Sequence, residues 1–146
     1  MAAAADHALS GQCLCGQVTV HATPRSRNIS VCHCSKCRTW TGGPFIALDC
    51  GDAVAMSGPI SVFKSSAWAE RVFCSNCGSA ITWRLQEGGE YHLSSQLFTE
   101  SDGFPMKSQV FIDEKPDNYN FAETTETMTG AQVFAMFAPD ESNPNG

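Results

Sequence analysis

Acidic residues are absent from positions 7 to 48, and no lysine or arginine precedes Arg25. Without a basic start, and with Asp6 and His7 interrupting the small apolar run of MAAAADHALSG, the N-terminus does not read as an export signal; a cytoplasmic protein is expected. No window approaches 18 consecutive apolar residues, so no spanning helix and no membrane partner are expected. Charged residues make up only 16% of the 146, and the net charge of −6 disfavours non-specific binding to nucleic acid or anionic membrane. Internal repeats and linker-like breaks are also missing. The chain therefore reads as one domain over residues 1–138 with a flexible tail, 139–146. Without an export signal, the sequon Asn28-Ile29-Ser30 is read as chance.

Apolar residues make up 42% of the chain, with nine Phe and three Trp, a globular composition. The charges are unevenly spread. Arg25, Arg27, Lys36 and Arg38 fall in the acid-free stretch, whereas nine acids from Glu100 onward face only Lys107 and Lys115. Short apolar or alternating runs (CLCGQVTVHA, PFIALDC, ISVFK, RVFC, SAITWRL, EYHLSSQLF, QVFIDE) are separated by Gly/Pro/Asp/Ser turn signals. This pattern predicts a mainly β fold of antiparallel sheets. For GAQVFAMFA, 130–138, strand and short helix fit equally.

Eight cysteines occur, at 13, 15, 32, 34, 37, 50, 74 and 77. Four disulfides would need an oxidising compartment for which no signal is seen, and the spacing favours zinc. In Cys13-Leu14-Cys15, residues i and i+2 of a strand would point both sulfurs to one side. In Cys74-Ser75-Asn76-Cys77-Gly78, a tight knuckle would aim two sulfurs inward, with Gly78 free to take positive φ. The middle cluster combines both devices: Cys32 and Cys34 on one strand face, Cys37 returning through a turn. Three sulfurs without a fourth nearby ligand describe an open metal site. Two allocations are open: a closed four-sulfur site plus an open three-sulfur site with Cys50 spare, or two closed sites with Cys50 as eighth ligand. His33 alternates out of the Cys32/Cys34 face and is expected in the core or behind the ligands.

The blocks GQCLCGQVTV, CHCSKCRTWTGGPF and RVFCSNCGSAITW, in this order and spacing, resemble the glutathione-dependent formaldehyde-activating enzyme family, which includes centromere protein V. The tail from FIDEKPD to MTGAQVFAMFAP resembles a bacterial subset of it. The resemblance implies a β-tent fold, shared with class B methionine sulfoxide reductases, and two zinc ions. By the family pattern Cys13, Cys15, Cys74 and Cys77 would hold a structural zinc, and Cys32, Cys34 and Cys37 a functional one. It further implies a carbon–sulfur lyase that makes or breaks S-hydroxymethylglutathione from glutathione and formaldehyde.

Three thiolates leave Zn²⁺ at net −1, a poor activator of water but able to take a fourth sulfur, whose proton coordination removes. Glutathione is anionic, so local cations are needed: Arg38 and Lys36 in the cluster, and Arg71 before Cys74, are the expected substrate contacts. Trp40 and Phe45 around Gly42-Gly43 are candidates for a pocket wall, or for core. The rival readings are a non-catalytic module with both metals structural, a nucleic-acid-binding zinc ribbon, and a sulfoxide reductase. Net charge argues against the second and the C-x-C-x-x-C cluster against the third.

Overall fold

β-Branched and aromatic runs broken by glycine turns give short strands, and the hydrophobic alternation along them sets which face is buried. A computed structural model describes residues 8–137; the expected tail, 139–146, lies outside the described residues. The strands are β1 (Leu9–Gln12), β2 (Thr19–Ala22), β3 (Ile29–Cys32), β4 (Phe45–Gly51), β5 (Val54–Ser57), β6 (Ile60–Lys64), β7 (Ala69–Cys74), β8 (Ala80–Leu85), β9 (Tyr91–Ser94), β10 (Met106–Val110) and β11 (Glu126–Met128). Helix α1 (Ser35–Thr41) follows β3 and helix α2 (Gly130–Phe137) follows β11.

One sheet has the order β1-β2-β5 and the other β11-β10-β3-β4-β9-β8-β7-β6. The main core lies between them. Val18, Val20, Leu48, Val72, Ile81, Leu93 and Phe98 are fully buried there, each contributing about 1.5–3 kcal/mol by leaving water. A smaller cluster of Cys37, Phe45 and Ala47, backed by Trp40 and Trp83, forms around α1.

The expectation of antiparallel sheets needs one correction. β10 runs parallel to both β3 and β11, so one edge of the large sheet is parallel. Parallel neighbours require a long return connection. β10 meets β3 only after β4 to β9 have been laid down, and the loop 111–125 carries the chain from β10 to β11. Neither feature leaves a mark in local periodicity.

Residues 130–137 are helical. A reciprocal cap decides it: Thr129 Oγ1 accepts from Gln132 N–H (3.2 Å) while Gln132 Oε1 accepts from Thr129 N–H (2.7 Å). Asp113 Oδ1 accepts from the Gly130 N–H at 2.8 Å, tying the helix start to the end of β10. The run QVFIDE stops being a strand at Val110, because Phe111 takes a left-handed conformation (φ 55°).

Gly58 turns the chain from β5 to β6 at φ 117°, where an added Cβ would run into the Gln17 carbonyl oxygen. Its neighbour Pro59 offers its carbonyl to the Ser75 N–H (2.8 Å), so this turn also braces the Cys74–Cys77 knuckle. Gly58→Ala is expected to cost about 2 kcal/mol or more of stability through positive-φ strain and collision. Urea unfolding of the metal-loaded protein measures it.

Candidate metal centre

Two turns bring the first four sulfurs together. After β1, the chain turns at Cys13-Leu14-Cys15-Gly16, with the Gly16 N–H donating to the Cys13 carbonyl (3.0 Å). After β7, Cys74 to Gly78 makes a turn one residue longer, with the Gly78 N–H on the Cys74 carbonyl (2.9 Å). Gly16 and Gly78 both sit near φ 80°, at 82° and 81°. Cys13-Leu14-Cys15 is therefore a turn and not the strand face expected from i, i+2 spacing. Backbone N–H groups point at the sulfurs: Val18 on Cys13 (3.3 Å), Asn76 and Cys77 on Cys74 (3.3 and 3.4 Å). Such donors favour thiolate over thiol.

The ligand atoms of Cys13, Cys15, Cys74 and Cys77 all lie within 4.8 Å of one another. The sulfurs of Cys13 and Cys15 are 3.5 Å apart, and those of Cys15 and Cys74 3.8 Å. With Zn–S near ~2.3 Å, a tetrahedral ZnS4 unit has edges of ~3.8 Å, so this donor set fits zinc without rearrangement.

The second cluster is Cys32, Cys34 and Cys37, again within 4.8 Å of one another and with no fourth donor among the described residues. Its local build differs from expectation. Cys32 ends β3, but Cys34 is the N-cap of α1 and Cys37 lies in the helix, its N–H donating to Cys34 Sγ at 3.3 Å. The sulfurs converge through a strand end and a helical turn, not one strand face. Hydrogen bonds from the Cys32 and Cys37 thiols push Cys34 down to about 2, while those contacts and burial push Cys32 well up. One charge forms easily and opposes the next; a divalent cation resolves that conflict.

Arg71 reaches this cluster from β7. It is 4% exposed, its Nη1 donates to Cys37 Sγ at 3.4 Å, and its guanidinium lies 5.1 Å from the Trp40 ring centre. No carboxylate pairs with it among the described residues, and its buried Nε has no hydrogen-bond partner. A buried cation without a counter-charge is costly. Three thiolates on a divalent ion carry net −1, which supplies the missing anion, so Arg71 and a loaded three-sulfur site satisfy each other.

Cys32, Cys34, Cys37 and Arg71 line one end of an open cleft of about 830 Å³, with Phe45, Trp68, Trp83 and His92 beside them. Lys36 and Arg38 do not line it. Arg38 Nε is instead bonded to the His33 carbonyl (2.9 Å). Trp40 stands behind Arg71, and Gly42 (φ 80°) ends α1. His33 is fully buried behind the ligands: its Nε2–H donates to Gln109 Oε1 (2.7 Å), and the Tyr119 hydroxyl donates to Nδ1 (2.8 Å). That tautomer follows from Gln109 spending its amide N–H on Thr125 Oγ1 (2.9 Å). Cys50 lies in the main core, in neither sulfur cluster.

Sequence reasoning gave no role to His92 or to Trp83 and Trp68. Strand register brings in His92 and Trp83, since Asp49 pairs His92 across β4–β9 and Trp83 pairs both His92 and Arg71, and Trp68 joins them by an edge-to-face contact with Trp83 at 5.8 Å. Asp49, Glu90 and His92 form a third group of possible donors. Arg25 already occupies it, at 3.1 Å from Asp49 and 2.9 Å from Glu90, so both carboxylates have their cation.

The chain is mainly β and has a four-sulfur and a three-sulfur cluster, the second opening on a cleft, so it carries two donor sets that could hold metal ions. The comparisons narrow this: the family model of the glutathione-dependent formaldehyde-activating enzymes matches residues 8–114, and the chain belongs to that family. It is accordingly an enzyme with a carbon–sulfur lyase-type role. An uncharacterized lyase of Schizosaccharomyces pombe (strain 972 / ATCC 24843) is 35% identical over 126 residues, 84% of this chain and 92% of its own length. A crystal structure of a Rhodobacter sphaeroides protein shares the fold, with TM-score 0.55 and 19% identity over 68% of this chain and 100% of that one. Among the described residues no helix is long and apolar enough to cross a membrane.

Burial, and then the nearby Asp49 charge, push the Cys50 thiol up to about 12. At pH 8 only about one molecule in 10⁴ would carry its thiolate. Iodoacetamide at pH 8 is expected to leave Cys50 unmodified in the folded protein and to label it after unfolding, as read by peptide mass mapping.

Proposed function

We propose that the protein is a zinc-dependent carbon–sulfur lyase acting on glutathione–aldehyde adducts, S-hydroxymethylglutathione being the family's example, on a β-tent scaffold. One observation carries this reading: Cys32, Cys34 and Cys37 converge at the end of a cleft with no fourth protein donor in the cluster. In this reading Cys13, Cys15, Cys74 and Cys77 hold a structural zinc, and the three-sulfur site holds the functional one. The ion there would supply a cationic seat at which a substrate thiol loses its proton near neutral pH.

The chain's own residues do the rest. Arg71, beside Cys37, offers unspent N–H donors to the incoming sulfur anion or to a substrate carboxylate. Phe45, Trp68 and Trp83 exclude water from the reacting end. The adduct's C–S bond forms when a sulfur lone pair attacks the aldehyde carbon; the C=O π pair moves to oxygen, which takes a proton, and the thiol proton leaves to solvent. The reverse breaks the C–S bond and restores the carbonyl. Because addition proceeds slowly unaided, the enzyme's contribution is chiefly positioning. Of the three cations expected to contact substrate, Arg71 takes that role here; Lys36 and Arg38 are placed on α1 outside the cleft lining. The physiological compartment of this reading is the cytoplasm, and its partners are a small thiol and an aldehyde.

Two variants test it. Cys37→Ser is expected to keep the fold by circular dichroism, lower zinc from two ions per chain to one, and reduce glutathione–formaldehyde exchange by NMR at least about 100-fold. Cys74→Ser is expected to unfold at markedly lower temperature, since the four-sulfur metal contributes folding energy. A two-zinc protein that neither binds glutathione nor speeds exchange would establish the non-catalytic module instead. Arg71→Met is expected to raise KM for glutathione about tenfold or more, with Arg71→Lys recovering part of it, by initial-rate kinetics.

A further inference from the structure

Part of the cleft's wall comes from a stretch of the chain that the family match does not reach. Residues 8–114 carry all seven clustered sulfurs and Arg71. The unmatched stretch includes Met128 from β11, two strands from Cys32 in register through Val110, and Val133, Phe134 and Met136 from α2, with Phe111 packed on Phe134. These five side chains are apolar. The exposed residues of the lining that carry charge, Lys107 and Glu126, are of opposite sign.

This wall is built, not draped. The Phe111 and Phe134 rings meet edge-to-face at 5.4 Å. Gly130 brings the start of α2 so close that an added Cβ would strike the Phe111 ring. Asp113 and the Thr129–Gln132 cap fix the helix at its first turn. Phe111 holds φ 55°, unfavourable for an aromatic residue, to make the junction. The wall is therefore anchored by close packing to the scaffold that carries the sulfurs, and it lines the same cleft as Cys32, Cys34 and Cys37.

A one-carbon aldehyde needs none of the apolar surface made by Met128, Phe134 and Met136, and glutathione's charged groups would pair instead with lining residues such as Lys107 and Glu126. We infer that the aldehyde-derived half of the substrate is apolar and several carbons long, its chain lying along Phe134, Met128 and Met136 while its sulfur is held at the Cys32–Cys34–Cys37 end. This rests on the lyase reading above. The chemistry is the same: thiol plus R–CHO gives R–CH(OH)–S–R′, with a C–S bond formed, the π pair moved to oxygen, and no redox change.

Inert thioethers probe the wall without turnover. With zinc-replete protein, S-hexylglutathione is expected to bind at least tenfold tighter than S-methylglutathione by calorimetry, since each buried methylene is worth up to about fourfold. Phe134→Ala is expected to reduce that ratio to about threefold or less. Because Phe134 also packs on Phe111, Met136→Ser serves as a second variant. It is 65% exposed, and its loss should lower the ratio without unfolding the protein. In turnover, hexanal with glutathione is expected to exceed formaldehyde with glutathione in kcat/KM. Equal affinities for the two thioethers, no binding of either, or a ratio unmoved in both variants would overturn the inference, and continued formaldehyde exchange would then leave the lyase reading standing. Absence of exchange with either aldehyde would overturn both.

Discussion

Sulfur anions from distant turns cannot share a space without a cation, and this requirement organises the molecule. Cys15 and Cys74 are 59 residues apart, yet their sulfurs lie 3.8 Å from one another. Coupling folding to metal binding would solve this, because an ion's attraction to four thiolates would offset their mutual repulsion and the entropy of closing so long a loop. The junction does more than close a loop. It joins the β1 end of the small sheet to the β7–β8 end of the large one, and so determines where β7 lies. Arg71 is three residues before Cys74 on that strand, between Phe63 and Trp83 in register. The four-sulfur junction thus aims the buried cation at the three-sulfur site.

The two clusters solve different problems with similar parts. Each uses backbone N–H donors on sulfur, Val18, Asn76 and Cys77 at one, Cys37 at the other. The four-sulfur cluster is complete in itself. The three-sulfur cluster has Arg71 at its side, a cleft in front, and the His33–Gln109–Thr125 chain with Tyr119 behind. His33 is buried and held neutral by loss of hydration, so it braces the Cys32–Cys34 backbone without adding charge beside the thiolates. Arg71 is the positive counterpart to the negative charge that these sulfurs carry.

Much of this was legible in the residues, for a reason that also explains the misses. Cysteine spacing constrains which sulfurs can meet, and it does so whether the peptide between them is strand or turn. Reading Cys13-Leu14-Cys15 and Cys32-His33-Cys34 as strand faces misplaced the backbone and left two allocations of the sulfurs open; the family pattern, not spacing, joined the first and last pairs as the structure does. Arg71 and Arg38 show the limit. Arg38 adjoins Cys37 in sequence, but its position on α1 turns it toward the His33 carbonyl, whereas Arg71 arrives by strand register. His92 was invisible for the same reason: its neighbours Asp49 and Trp83 are set by pairing. The helix at 130–137 was readable from the Thr129-x-x-Gln132 cap and not from nine residues of periodicity. The parallel edge was not readable, since strand direction has no local signature.

The division of labour along the chain follows from these constraints. Metal ligation tolerates little change, because sulfur number, spacing and knuckle glycines must all agree; it occupies residues 13–77 and lies wholly inside the family match of 8–114. The wall outside it needs only to be apolar and to stay in place. It is made by β11 and α2, attached through Phe111, Asp113 and Gly130. A fold arranged in this way keeps its sulfur chemistry while the shape it presents to a substrate changes with the last segment alone. On the proposed reading, reaction class and substrate size would be carried by different stretches of one sequence that meet near the left-handed turn at Phe111.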